Sequence, residues 1–155
     1  MKSITNYIII ALAFFTLVSC NEENEPALTE QQEMAMALAG TWTHSETVTF
    51  PEIGDPVALN DLEISFMVSD NNEPAGFEAS GAPYFFETNS GSQWAFANAS
   101  TTEFINFSNS GLIETVKISL NDTEDELTME FAHPGDQNGR IKSLTGDYLI
   151  KLNKN

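Results

Sequence analysis

Positive charge is the scarcest property of this sequence. Six Lys and Arg stand against 23 Asp and Glu, a formal net charge of −17. Between Cys20 and Val116 there is no Lys or Arg at all, while 16 acids fall in that stretch. Such a surface repels phosphate backbones, which excludes nucleic-acid binding, and it repels anionic headgroups, which excludes attachment to a membrane by charge. Thiols are almost as scarce. Cys20 is the only cysteine, so disulfides, zinc–thiolate clusters and CxxC redox pairs are excluded.

Catalytic residue types are thin as well. The only histidines are His44 and His133, and His133 precedes Pro134 at a strand end, which predicts a surface position. No GxSxG, HExxH, Walker or GxGxxG pattern is present. Paired carboxylates of the kind that hydrolyse glycosides are not singled out by a sequence with so many acids. The chain therefore reads as a non-enzyme that needs no cofactor and holds no metal. Two acidic turns, at residues 70–73 and 122–126, alternate oxygen ligands as calcium loops do. Neither has the glycine and distant glutamate of an EF-hand, and the expectation is a solvated turn.

The one long apolar run lies at the start. Lys2 precedes Ile8, Ile9, Ile10, Leu12, Phe14 and Phe15, and the run closes at Leu17-Val18-Ser19-Cys20. A positive residue, an apolar core and a small-residue site in that order form a secretory signal. The core is shorter than the roughly 20 residues that span a membrane. The order Leu-Val-Ser-Cys resembles the lipobox of bacterial lipoproteins. That resemblance implies cleavage before Cys20, acylation of Cys20 on sulfur and nitrogen, and a lipid-held protein of the cell envelope, outer-membrane anchored and surface-exposed. Two or more acyl chains anchor stably where one does not. Residues 1–19 then form the signal peptide and residues 20–28 a tether. Asn21-Glu22-Glu23-Asn24-Glu25-Pro26 cannot pack. It serves either as a spacer or, by resemblance to Bacteroidota lipoproteins, as a surface-export signal.

Residues 29–155 make one domain. Thr29 with Gln32 three residues on is a capping box, and Met34 to Ala39 continue the helix to a stop at Gly40. From there the apolar period changes to two. The spacing predicts strands over 41–50, 59–68, 76–80, 84–88, 93–97, 103–107, 112–120, 126–132 and 147–152, broken by Gly, Asn, Ser and Pro clusters. Eight or nine antiparallel strands behind one short helix predict an all-β barrel or sandwich.

The helix running into Gly40-Thr41-Trp42 ahead of these strands resembles lipocalin-like domains of Bacteroidota lipoproteins. In that family the tryptophan of the Gly-x-Trp motif plugs the barrel floor beneath a basic residue near the chain end. The likeness implies a lipocalin-like barrel over residues 38–153. This chain departs from the pattern: only Lys151 and Lys154 lie at the end of its last strand, Arg140 precedes that strand, and there is no final helix.

Two stretches carry the candidate site. In the first strand Trp42, His44, Glu46, Val48 and Phe50 share one alternation face and Thr41, Thr43, Ser45, Thr47 and Thr49 the other. If the even face points inward, His44 and Glu46 line a hydrated cavity with Phe66 and Trp94, since an unpaired buried carboxylate is costly. If a bulge follows Trp42, both turn to solvent, and this is the preferred reading. The second stretch is the aromatic cluster Phe77, Tyr84, Phe85, Phe86, Trp94, Phe96, Phe104 and Phe107, flanked by Asn89, Gln93, Asn98 and Asn106. Aromatic faces with amides suit a glycan, whereas alternation of Tyr84 with Phe86 and of Trp94 with Phe96 builds a core. Core is the preferred reading, with Phe85 expected on the opposite face. The functional expectation is non-catalytic binding of a small hydrophobic or glycan ligand in or on the barrel. The alternative is an accessory lipoprotein that contacts envelope proteins or glycans through its outer surface.

Overall fold

The computed structural model describes residues 27–50, 59–82, 85–109, 111, 113–133 and 145–155. The signal, the tether before Ala27 and the expected strand residue Tyr84 lie outside them. One helix, α1 (Glu30–Leu38), precedes eight strands: β1 (Gly40–Phe50), β2 (Glu63–Val68), β3 (Pro74–Ser80), β4 (Gln93–Phe96), β5 (Phe104–Ser108), β6 (Thr115–Leu120), β7 (Glu126–His133) and β8 (Gly146–Lys154). Each strand pairs antiparallel with the next, and β8 returns to β1, so the sheet closes as an up-and-down barrel. The barrel arm of the sequence expectation is met, in a lipocalin-like architecture with one helix. Closure removes the sheet edges that a sandwich would leave. The eight pairings all fall between Gly40 and Lys154, so the barrel closes without the residues before α1.

Local chemistry accounts for the elements. The Thr29 side chain accepts from the Gln32 amide while Gln32 Oε1 accepts from the Thr29 amide, and Glu30 and Glu33 occupy the positive first turn. The helix is too short to stand alone. It is held to the barrel by Ala35 and Leu38, both fully buried, and by its glutamines. Gln31 Nε2 donates to the carbonyls of Asn98 and Thr101, and Gln32 Nε2 to that of Asn71. Those carbonyls belong to the β4–β5 and β2–β3 turns, so α1 lies across one end of the barrel, its floor. At the β6–β7 turn, Asn121 Oδ1 accepts from the Asp125 and Glu126 amides, and Asn121 Nδ2 and Thr123 Oγ1 donate to the Asp125 carboxylate. The carboxylate is satisfied within its own turn, and these bonds hold its pKa below the usual range.

Alternation fills the interior. The inward positions Ile64, Phe66, Phe77, Trp94, Ile105, Phe107, Val116, Ile118, Leu127, Met129, Phe131, Tyr148, Ile150 and Leu152 are all buried. Their rings run as a column across the barrel. Phe66 meets Trp94 edge-on at 5.2 Å, Phe77 meets Phe107 at 4.5 Å, Phe86 bridges Phe107 and Phe131, and Phe131 stacks on Tyr148 at 5.2 Å. Trp94 satisfies its indole N–H on the Met67 carbonyl at 2.8 Å. Among the described residues no buried side-chain nitrogen or oxygen lacks a partner.

Two expectations are corrected at the rim, the end opposite α1. The segment around Phe85 is a turn and not a strand, because the amides of Phe85 and Phe86 both bond to the Ala82 carbonyl. Consecutive side chains there do not alternate, so Phe85 and Phe86 are both buried, at 0% and 1% exposure. Phe85 folds over the barrel end and meets Tyr148 and His133 edge-on at 5.1 and 5.5 Å. His133 is accordingly buried, the last inward position of a strand that runs one residue longer than its pattern predicts. The fold of this loop depends on Gly81, at φ +79°, whose absent Cβ would lie 1.8 Å from the Asp61 carbonyl oxygen.

The Phe85 side chain closes the rim through its ring contacts with Phe131, His133 and Tyr148. Phe85→Ala should lower the unfolding free energy by about 3–5 kcal/mol with an unchanged denaturant slope. A loss under about 1 kcal/mol in urea unfolding would show that the rim is open.

Candidate functional site

The floor is built around the Gly40–Trp42 motif. Gly40 ends the helix-to-strand turn at φ +118°, a conformation that favours glycine. Two residues on, Trp42 points inward, is fully buried, and donates its indole N–H to the Leu38 carbonyl at 2.8 Å. Lys154, near the end of β8, extends under this pair. Its ammonium sits 5.2 Å from the Trp42 ring centroid and donates to the Ala37 carbonyl at 2.7 Å. A cation at a helix C-terminus over an indole face is favourable on both counts. A lysine within the final strand thus holds the place under the tryptophan. The signal was the register of Lys154, which pairs with Trp42 across β1 and β8.

The candidate cavity residues are not brought together. The register between β1 and β8 shifts between His44 and Glu46, leaving Ser45 as a bulge residue. Beyond it the faces exchange. Glu46 points outward and binds Lys151 at 2.9 Å, and Thr47 and Thr49 take the inward positions. The Glu46 carboxylate, with Glu126 nearby, holds the Lys151 ammonium above its ordinary value. The expectation of Glu46 in a cavity is therefore corrected by the bulge. His44 precedes the bulge, stays on the inward side and is half-buried, with Nε2 2.6 Å from Thr47 Oγ1. Burial pushes its pKa down. Phe66 and Trp94 are packed on one another deep in the core, each 2% exposed. They form wall-to-wall contact and not a lining.

The aromatic cluster resolves into core. Of its described members, Phe77, Phe85, Phe86, Trp94 and Phe107 are buried, Phe96 packs partly against them, and Phe104 is exposed. The amides that flank them stay outside. Asn89, Asn106 and Asn109 line an open groove of about 670 Å³ on the outer surface, with Glu87, Ser108, Glu114 and Thr115. Its walls are cross-bonded: Ser92 Oγ donates to the Asn109 carbonyl, Asn109 Nδ2 to the Gly91 carbonyl, and Thr115 Oγ1 to Asn106 Oδ1. A second groove, of about 440 Å³, runs over Glu63, Ser65, Glu78, Ser80 and Thr88 and shares Asn89 with the first. Neither has a cation in its lining, and no group of three potential metal ligands occurs among the described residues.

Sequence reasoning placed amides beside the aromatics and missed that strand alternation sends the two to opposite sides of the wall. The outcome is polar concavity outside and packed rings inside.

His44 makes a test of the bulge geometry. Its folded pKa lies below the ordinary value near 6.5, so its contribution is whole above that pH and is lost as pH falls through the depressed folded value. Wild type should lose more stability than His44→Asn between about pH 7 and pH 5, read as the difference of urea midpoints. Parallel pH profiles would contradict a half-buried neutral imidazole. No family model, curated protein or solved structure matches this chain.

Proposed function

We propose that the chain is a lipid-anchored, non-catalytic lipoprotein of the cell envelope whose barrel works as a packed scaffold and binds on its outer surface. The observation that carries this reading is the filling of the barrel. An eight-stranded barrel has an interior just wide enough either to be filled by side chains or to hold one small ligand. Here the described inward rings meet one another from Trp94 and Phe66 to the Phe85 rim, and Trp42 is fully buried at the floor. Such an interior favours contact with envelope proteins or glycans from outside over a ligand held within.

The anchor part of the proposal rests on the Leu17–Cys20 order and on charge. With so few cations, lipid on Cys20 is the attachment that the composition allows. Among the described residues no helix is long and apolar enough to cross a membrane. The non-catalytic part rests on the missing motifs and on how few residues of catalytic type the sequence holds.

Mass spectrometry of the full-length protein expressed in a Gram-negative host and extracted from its membranes tests both parts together. The expected spectrum shows an N-terminal acylated Cys20 and, under native conditions, no stoichiometric small molecule retained by the domain. An unacylated Cys20, or a Cys20→Ala protein that still fractionates with membranes, would overturn the anchor. A retained ligand of one copy per chain, released only on unfolding, would overturn the packed scaffold.

A further inference from the structure

A domain held to a bilayer at Cys20 must take some attitude to it, and the charge at its floor decides which. This inference rests on the lipid anchor proposed above. The chain enters the barrel at the floor, because α1 lies there between the β2–β3 and β4–β5 turns. Thr29 lies nine positions after Cys20, so the floor can stand no more than about 30 Å from the anchored sulfur.

That end of the barrel carries carboxylates on α1 and on the β2–β3 and β6–β7 turns. α1 contributes Glu30 and Glu33, the β2–β3 turn Asp70 and Glu73, and the β6–β7 turn Asp122 and Glu124, all exposed. None of the six takes part in an ion pair. The ammonium at this end, Lys154, is already turned inward onto the Trp42 ring and the Ala37 carbonyl. Two exposed apolar side chains, Leu28 and Met36, also lie here, at 40% and 46% exposure. Helices that settle into a membrane interface carry cations beside such residues; α1 carries carboxylates.

We propose that an anionic lipid surface repels the floor, so that the tethered barrel stands off the bilayer. The Debye length is about 8 Å at physiological ionic strength, well inside the reach of the tether. The repulsion therefore stops the floor from resting on headgroups and leaves the barrel free to tilt beyond that distance. On a zwitterionic bilayer, or in 1 M salt where the Debye length is about 3 Å, the barrier disappears and Leu28 and Met36 reach the surface.

The sole cysteine gives a direct test that does not require acylation in the cell. The chain from Cys20 to Asn155 is coupled through its thiol to a maleimide lipid in vesicles, and energy transfer is read from Trp42 and Trp94 to dansyl headgroups. Transfer should be at least about twofold lower on phosphatidylserine-rich vesicles than on phosphatidylcholine at low salt, and equal in 1 M salt. A chain carrying Glu30→Gln, Glu33→Gln, Asp70→Asn, Glu73→Gln, Asp122→Asn and Glu124→Gln should lose most of the difference. Equal transfer of the unaltered chain on both lipids at low salt would overturn the stand-off, as would a difference that survives 1 M salt. Neither result bears on whether the cell acylates Cys20.

Discussion

The constraint on which the structure depends is the size of an eight-stranded barrel. Its interior admits one layer of side chains from each wall, and large rings on facing strands consume that space. Phe66, Phe77, Trp94, Phe107, Phe131 and Tyr148 come from six strands and meet in the middle. The ends are closed by the same means, Trp42 with α1 at the floor and Phe85 at the rim. Once the inside is spent on rings, every amide, hydroxyl and carboxylate that alternates with them is displayed outside. The polar grooves over β2, β3, β5 and β6 are a consequence of the core.

The shortage of cations shapes the surface in the same way. Lys117 pairs with Glu130 at 3.1 Å, Lys151 with Glu46, and Lys154 is turned into the floor. Exposed pairs such as the first two add little stability. Their effect is on the field: the described lysines are engaged where they stand, and β2 and β3 present Glu63 and Glu78 with no counter-charge on those strands. Net charge of one sign opposes non-specific association with nucleic acid and anionic lipid.

Much of this was legible locally. The capping box at Thr29 and Gln32, the alternation over β2, β6 and β7, and the Asn121–Asp125 turn each follow from residues within a few positions of one another, and the structure holds them where the pattern puts them. The misreadings share a different cause. The bulge at Ser45 is set by the register of β1 on β8, more than 100 residues along the chain, so alternation counted from Trp42 leaves both faces open to Glu46 and only the pairing turns it outward. His133 reads as a surface residue until Phe85 is folded over it from another loop. Phe85 reads as an outward strand residue because two bonds to one carbonyl leave no trace in composition. Lys154 became the floor cation only through its cross-strand partner. Sequence pattern gave which residues are apolar together; long-range pairing decided which way they face.

The measurement closest to the central claim is a set of nuclear Overhauser effects from the interior methyl groups in solution. Labelled Ile64, Ile105, Met129 and Ile150 sit in the wall around the ring column, each fully buried. A packed barrel predicts strong effects from these methyls to the rings of facing strands and none to water. Water cross-peaks at Ile64 or Ile150 would mean a hydrated cavity, and would contradict a scaffold that binds only on its outside.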